Sequence, residues 1–271
     1  MAITSLDVLL DSMANRAQLA IWNKSTIINM VTGQFISMWR ATGTPGQGAI
    51  PAAAAVPIRT TTGAITYTNP TGGRSMYIGR GFVISSIAGT DVQFHDRLAH
   101  MGGLSGTSIA SQTISVDASV VALDARRGDA NYSDVQWWLE WYTDTGATAS
   151  NATVAVTYDD NTTGNLAVIA VGGTIRAGRM IPLLPATAGK RIKSIQTIIL
   201  SASTGTLGSF GVTATRALGS ITCPVANYGT VADWAMIGLP KVADDACIQA
   251  VVIAGSTSSG TLYGTTKLIE G

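Results

Sequence analysis

From residue 59 onward the chain is a succession of short runs of Val, Ile, Thr and aromatic residues, each broken by Gly, Asn, Asp or Ser. Runs of this kind are strands, and their close spacing leaves no room for the long helices that connect parallel strands. The expected fold is therefore mainly β, an antiparallel sandwich or jelly-roll-like arrangement. Strands are predicted over residues 82–87, 91–98, 135–142, 152–158, 165–171, 194–202, 210–218, 247–254 and 261–269. Within ATVAVTY (152–158), alternation puts Val154, Val156 and Tyr158 on one face and small residues on the other.

Two stretches resemble each other. GFVISSIAGTDVQFHDRL (81–98) and SIQTIILSASTGTLGSFGVTATRAL (194–218) both read as strand, Gly/Thr turn and strand, ending in Arg and Leu. A second hairpin follows each, so two related β halves are expected, 59–171 and 172–271. Before them, residues 1–58 read as a helix and an extended arm. TSLDVLLDSMANRA (4–17) carries a capping Ser5 or Thr4, Asp7 in its first turn, and Ile3, Leu6, Leu9, Leu10 and Met13 at helical spacing. That apolar stripe must face either the body or a neighbouring copy. Two short strand-like runs follow, at 19–23 and 34–40. ATGTPGQGAIPAAAAVPI (41–58) is rich in Pro and Gly, which makes it an extended strap.

The aromatic cluster VQWWLEWY (135–142) divides by face. Val135, Trp137, Leu139 and Trp141 make an apolar core face, whereas Gln136, Trp138, Glu140 and Tyr142 make a mixed face of the kind that meets a neighbour. A sugar-stacking platform is the alternative reading of Trp138 and Tyr142. In the N-terminal segment, Trp22, Phe35, Trp39 and Arg40 are candidates for contact with an adjacent subunit, unless the arm folds back on its own body.

Charged residues make up only 12% of the chain, and the formal net charge is +1. Little repulsion then keeps copies apart, which favours a protein that works in an assembly and as a homo-oligomer, a dimer or a trimer. No basic run argues for nucleic acid. No apolar run approaches the ~20 residues that span a bilayer, so no membrane partner is expected. Cys223 and Cys247 read as reduced, buried residues, and no secretion signal is evident in MAITSLDVLL, so synthesis in the cytoplasm is expected.

No chemistry is expected either. His95 and His100 in HDRLAH are five apart, which on a strand points them to opposite faces unless a turn follows Leu98; no GxSxG elbow accompanies His95 and Asp96, and the stretch reads as a salt-bridged strand end. Asp159, Asp160 and Asn161 lack EF-hand spacing and read as a turn. GTPGQG (43–48) lacks the Lys-Ser/Thr of a phosphate-binding loop. No catalytic residue, metal site or cofactor is assigned.

QFISMWRATGTPGQGAIP, FHDRLAHMGGLSGTSIASQT, WLEWYTDTGATASNATVAVTY and LSASTGTLGSFGVTATRAL together resemble virion structural proteins of tailed bacteriophages. The resemblance rests on small and aromatic residues, not on a catalytic signature. It implies a noncatalytic part of a virus particle, assembled in the bacterial host cytoplasm with a major capsid protein or other virion proteins. A head decoration or cement protein, with the 1–58 segment bridging to a neighbour, is the expectation. The alternatives are a tail, collar or baseplate component and a glycan-binding module.

Overall fold

The computed structural model describes residues 3–253 and 255–271. Met1 and Ala2, which begin the expected 1–58 segment, and Ala254, which ends the expected 247–254 strand, lie outside the described residues. In chain order the first elements are α1 (Leu6–Asn15), β1 (Ala17–Lys24), β2 (Phe35–Ser37), β3 (Gly43–Thr44), β4 (Met76–Ser85), β5 (Thr90–Ser105) and β6 (Gln112–Asp117). After a short 3-10 turn come β7 (Gln136–Trp141), β8 (Ala149–Tyr158), β9 (Thr163–Asn165), β10 (Ile169–Gly172), β11 (Arg179–Leu183) and β12 (Ile192–Leu200). The remainder is β13 (Ser209–Cys223), β14 (Gly229–Asp233), α2 (Trp234–Ile237), β15 (Lys241–Val242), β16 (Ile248–Ile253) and β17 (Leu262–Glu270). The fold is mainly β, as expected, with one helix of any length, at the N-terminal side.

Two compact units divide the chain. The first takes residues up to Gly48, Ile58–Asp96 and Ala217–Gly271, and the second takes Ala49–Pro57 and Arg97–Arg216. These are not the consecutive halves 59–171 and 172–271, nor does 1–58 stand apart as its own segment. The reason is two long strands: β5 and β13 each begin in one unit and finish in the other.

In the first unit, β14, β4, β17, β1 and β3 lie side by side, and β15 also pairs with β4. A second layer pairs β16 with β2 and with Asp91–Asp96 of β5, antiparallel. Period-2 alternation turns Trp22, Ile78, Val83, Leu262 and Leu268 inward, where they share one core with Ile36, Val92, Phe94 and Val252. The Trp22 and Phe94 rings meet edge to face at 5.9 Å, and Trp22 Nε1 donates to Thr266 Oγ1 at 3.1 Å. This is a two-layer sandwich.

The second unit repeats that construction. Strands β10, β8, β12 and β6 form one sheet, with β9 on β8. Opposite them, β7 lies between β11 and residues 210–215 of β13. Ile114, Val154, Val156, Ile195 and Ile198 face Trp137, Leu139, Trp141, Phe210 and Val212 in a single core. Trp141 stacks on Phe210 at 4.5 Å.

The Pro/Gly strap folds back on its own chain. In the first unit, Trp39 is buried between glycines, and a Cβ placed on Gly48 would stand 2.2 Å from the Trp39 ring. Buried Lys24 holds the same segment through the carbonyls of Ala41 (3.3 Å) and Pro45 (2.9 Å). Desolvation lowers the Lys24 pKa to about 8. In the second unit, Ala55 exchanges backbone hydrogen bonds with His100 at 2.9 and 3.0 Å, and Gly102 N donates to Pro51 O at 2.7 Å. Because Trp39 has no space beside it at Gly48, Gly48→Ala should cost about 1–3 kcal/mol, the usual penalty of overpacking. A urea titration of the purified variant checks this, and an unchanged midpoint would show that the strap yields freely.

Candidate functional site

Two places concentrate side chains that could do more than fill a core: a buried charge network in the second unit and an open sheet face in the first. The network grows from HDRLAH. Strand β5 does not turn after Leu98 but runs on to Ser105, so the whole hexapeptide is buried. Arg97 and Glu140 are both fully buried and bond in parallel: Nη1 to Oε1 at 3.2 Å and Nη2 to Oε2 at 2.6 Å. Arg97 also donates Nε to His100 Nδ1 at 2.7 Å and Nη2 to Tyr142 OH and Thr213 Oγ1, each at 3.0 Å. Tyr142 OH and Thr213 Oγ1 in turn donate to Glu140 Oε2.

Burial and the neighbouring Glu140 carboxylate push the Tyr142 phenol above its ordinary value. Burial, helped by the Arg97 charge, drops His100 to about 2, so its Nδ1 stays an acceptor. In the first unit His95 is buried and its Nε2 meets Gln93 Oε1 at 3.0 Å. The Gln93 amide donates to Asp91 at 3.0 Å, which turns its oxygen toward His95 and makes that Nε2 the donor. Burial lowers His95 to about 4. These groups spend their polar atoms on one another. They carry structure.

This geometry corrects the expected contact residues. Trp138 and Tyr142 are buried, and Trp138 Nε1 is tied to Thr215 Oγ1 at 2.8 Å, so neither ring offers a docking face or a sugar platform. Both faces of β7 are covered, because Glu140 finds its partner inside the unit. Trp22 and Trp39 are core residues, Phe35 is half-buried in β2, and Arg40 donates to the Gly48 carbonyl of its own strap. Trp22, Trp39, Trp138 and Tyr142 are thereby closed to a neighbour, whereas Phe35 and Arg40 stay half-buried.

The expected acidic turn closes on itself: Thr162 N and Oγ1 donate to Asp160 Oδ1 at 3.0 and 2.6 Å, and Lys190 pairs with Asp160 at 3.0 Å. Those hydrogen bonds hold the Asp160 carboxyl down to about 2. Among the described residues no three His, Cys, Asp or Glu side chains gather to hold a metal, and no helix is long and apolar enough to cross a membrane.

The open face was not singled out in the sequence. It is the outer side of the six-stranded sheet. Across β1, β17 and β4, Leu19 stands opposite Lys267 and Lys267 opposite Arg80; one pair along, Ile21 faces Thr265 and Thr265 faces Phe82. Next come Asn23, Tyr263 and Ile84. Leu19, Ile21 and Tyr263 are 61%, 69% and 52% exposed, which makes a contiguous apolar patch. Leu19, Arg80, Phe82, Thr265 and Lys267 line a groove of about 390 Å³ there. One end of the face is covered by α1, capped by Ser5, whose Oγ accepts from Val8 N at 3.3 Å. Gly79 allows the close approach, since a Cβ there would stand 2.8 Å from Met13 Sδ and 3.0 Å from Ile269. Leu9 and Ser12 of α1 are buried, while Leu6 and Leu10 remain 58% and 56% exposed. Of the predicted stripe, Ile3, Leu9 and Met13 meet the body, while Leu6 and Leu10 do not.

No family model and no curated protein matches the chain. Solved structures that cover 94% of it include two of infectious bursal disease virus, strains Gt and Gx, and one of the VP2 subviral particle of that virus. They share 10%, 10% and 12% identity with it, over 82%, 81% and 81% of their own chains, at TM-scores of 0.18, 0.20 and 0.18. At such scores the likeness does not establish a common fold.

Proposed function

We propose that the chain is a noncatalytic structural component of a tailed-phage particle, a decoration or cement protein seated on the outside of the head. The observation that carries the reading is the open face of the first unit's sheet. Its row of exposed Leu19, Ile21 and Tyr263 lies over well-packed strands, and contiguous apolar patches on stable β surfaces mark sites of association. Sparse charge opposes such association weakly. The resemblance of the chain's aromatic and small-residue stretches to phage virion proteins points the association toward a particle. The reading differs from a bridging arm: Trp39 and the strap that follows it are held against their own chain, so attachment belongs to the sheet face, with Leu19 and Ile21 of β1, and to α1.

Quantitative mass spectrometry of purified particles tests this. A head decoration role predicts on the order of hundreds of copies per particle, following the shell's repeated symmetry. About six or twelve copies would move the chain to a tail ring, the alternative reading, and its absence from particles would end both.

A further inference from the structure

The groove holds an unusual pair. Lys267 and Arg80 are direct cross-strand partners on the open face, an arrangement that like charges destabilise. Neither has an ion-pair partner among the described residues. Asp233, opposite Arg80 on the other side, already accepts from Ala235 N (3.0 Å) and Met236 N (3.1 Å) as the cap of α2. Flanked by Leu19 and Phe82, the two cations make an apolar trough with a positive floor. Its complement is an apolar surface carrying carboxylates.

Helix α1 has that surface. Leu6 and Leu10 are one turn apart and exposed, and Asp7 and Asp11 sit beside them at the same spacing. Asp11 is engaged by Arg16 and by Asn15, at 2.8 Å for the latter, whereas Asp7 has no ion-pair partner among the described residues. Three strands ~4.8 Å apart offer a trough about 10 Å wide, which matches the ~10 Å width of a helix.

We propose that the groove receives α1 of a second copy of this chain. Leu6 and Leu10 cover Leu19 and Phe82, and Asp7 lies between Lys267 and Arg80. Because α1 covers one end of its own sheet face and leaves the other open, a two-fold axis lets each copy's helix fill the other's open half. The dimer joins two first units, and it deepens the proposed role by naming one contact of the assembly.

Sedimentation of the purified full chain tests it. Wild-type protein forms a dimer. Asp7→Lys, or Lys267→Glu with Arg80→Glu, weakens the dimer by about tenfold or more, as reversed charges at an interface do. Asp7 and Arg80 are exposed and Lys267 is half-buried, so unchanged circular-dichroism spectra show that the variants fold. An equimolar mixture of the two variant proteins restores the dimer, because each helix then meets a groove of opposite charge. A wild-type monomer, a dimer indifferent to both reversals, or a mixture that fails to recover overturns the proposal. A charge-sensitive dimer from a protein missing in particles would sink the virion role and leave this contact standing; a monomer abundant in particles would do the reverse.

Discussion

Glu140→Leu is expected to cost the second unit about 3–5 kcal/mol, because it removes the carboxylate from a guanidinium that is fully buried. For a protein of this size that lowers the melting temperature by roughly 10 °C, at about 2–4 °C per kcal/mol. Thr213 and Tyr142 would also lose the acceptor they share, which adds desolvated hydroxyls to the cost. The double variant Arg97→Met with Glu140→Leu should recover much of the loss, since a buried ion pair is often no more stabilising than well-packed apolar residues of similar size. Urea unfolding of the two single variants and the double gives the coupling directly. If Glu140→Leu moves the midpoint by less than about 1 kcal/mol, the pair is not the keystone its burial suggests.

The second large effect is acid lability. His95 and His100 are held neutral in the folded protein, at about 4 and about 2, while the unfolded chain titrates them near 6.5. Their folded pKa values lie below the unfolded one, so the unfolded state binds more protons as pH falls. Stability is complete above pH 6.5 and declines below it. The His95 contribution stops growing near pH 4, and that of His100 continues toward pH 2. At pH 5 each histidine has removed about 2 kcal/mol, or about 4 kcal/mol together, at 1.36 kcal/mol per pH unit. Urea midpoints between pH 7 and pH 5 should fall with a slope near two protons, and His95→Gln should reduce it to one. A flat profile over that window would mean that the imidazoles reach water before the chain unfolds.

These two predictions involve residues that the sequence displayed without their meaning. Glu140 is a single charge inside an apolar run and Arg97 follows His95 and Asp96 in a strand, patterns that allow either a solvated edge or a buried partner. Reading HDRLAH as the end of a strand chose the first. The strand continues to Ser105 because its charges are paired, so propensity could not mark where it stops. Most other strands fell close to where alternation put them, such as 261–269 against β17. NLAVIAV did not, since it breaks into β9 and β10 around exposed Val168. Trp137 and Trp141 were legible as core, but Trp22, Trp39, Trp138 and Tyr142, which are also buried, were not. Trp138 looks outward only if β7 is taken as half-buried, and it is buried on both sides.

The groove was less legible still. Arg80 and Lys267 are distant in sequence, and only the register of β4 on β17 sets them face to face. The stripe of α1 was expected to face either the body or a neighbouring copy, and Leu9 meets the body while Leu6 and Leu10 do not. Its division between Leu9, turned inward, and Leu6 with Leu10, turned outward, depends on where Gly79 lets the helix settle.

The place of β17 between β1 and β4 governs how the polypeptide must mature on the ribosome. Ala17 waits for Ile269, its partner in the sheet, while the whole of Arg97–Arg216 is synthesised and can condense on its own. At about 5–20 residues per second the interval is roughly 10–50 s, during which the edge of β1 that pairs with β17 has no mate. Such long-range closure is slow and leaves a nascent chain open to promiscuous pairing. The gatekeeper against premature clustering of nascent copies is the order of translation: the trough that α1 would occupy does not exist until Lys267 has emerged.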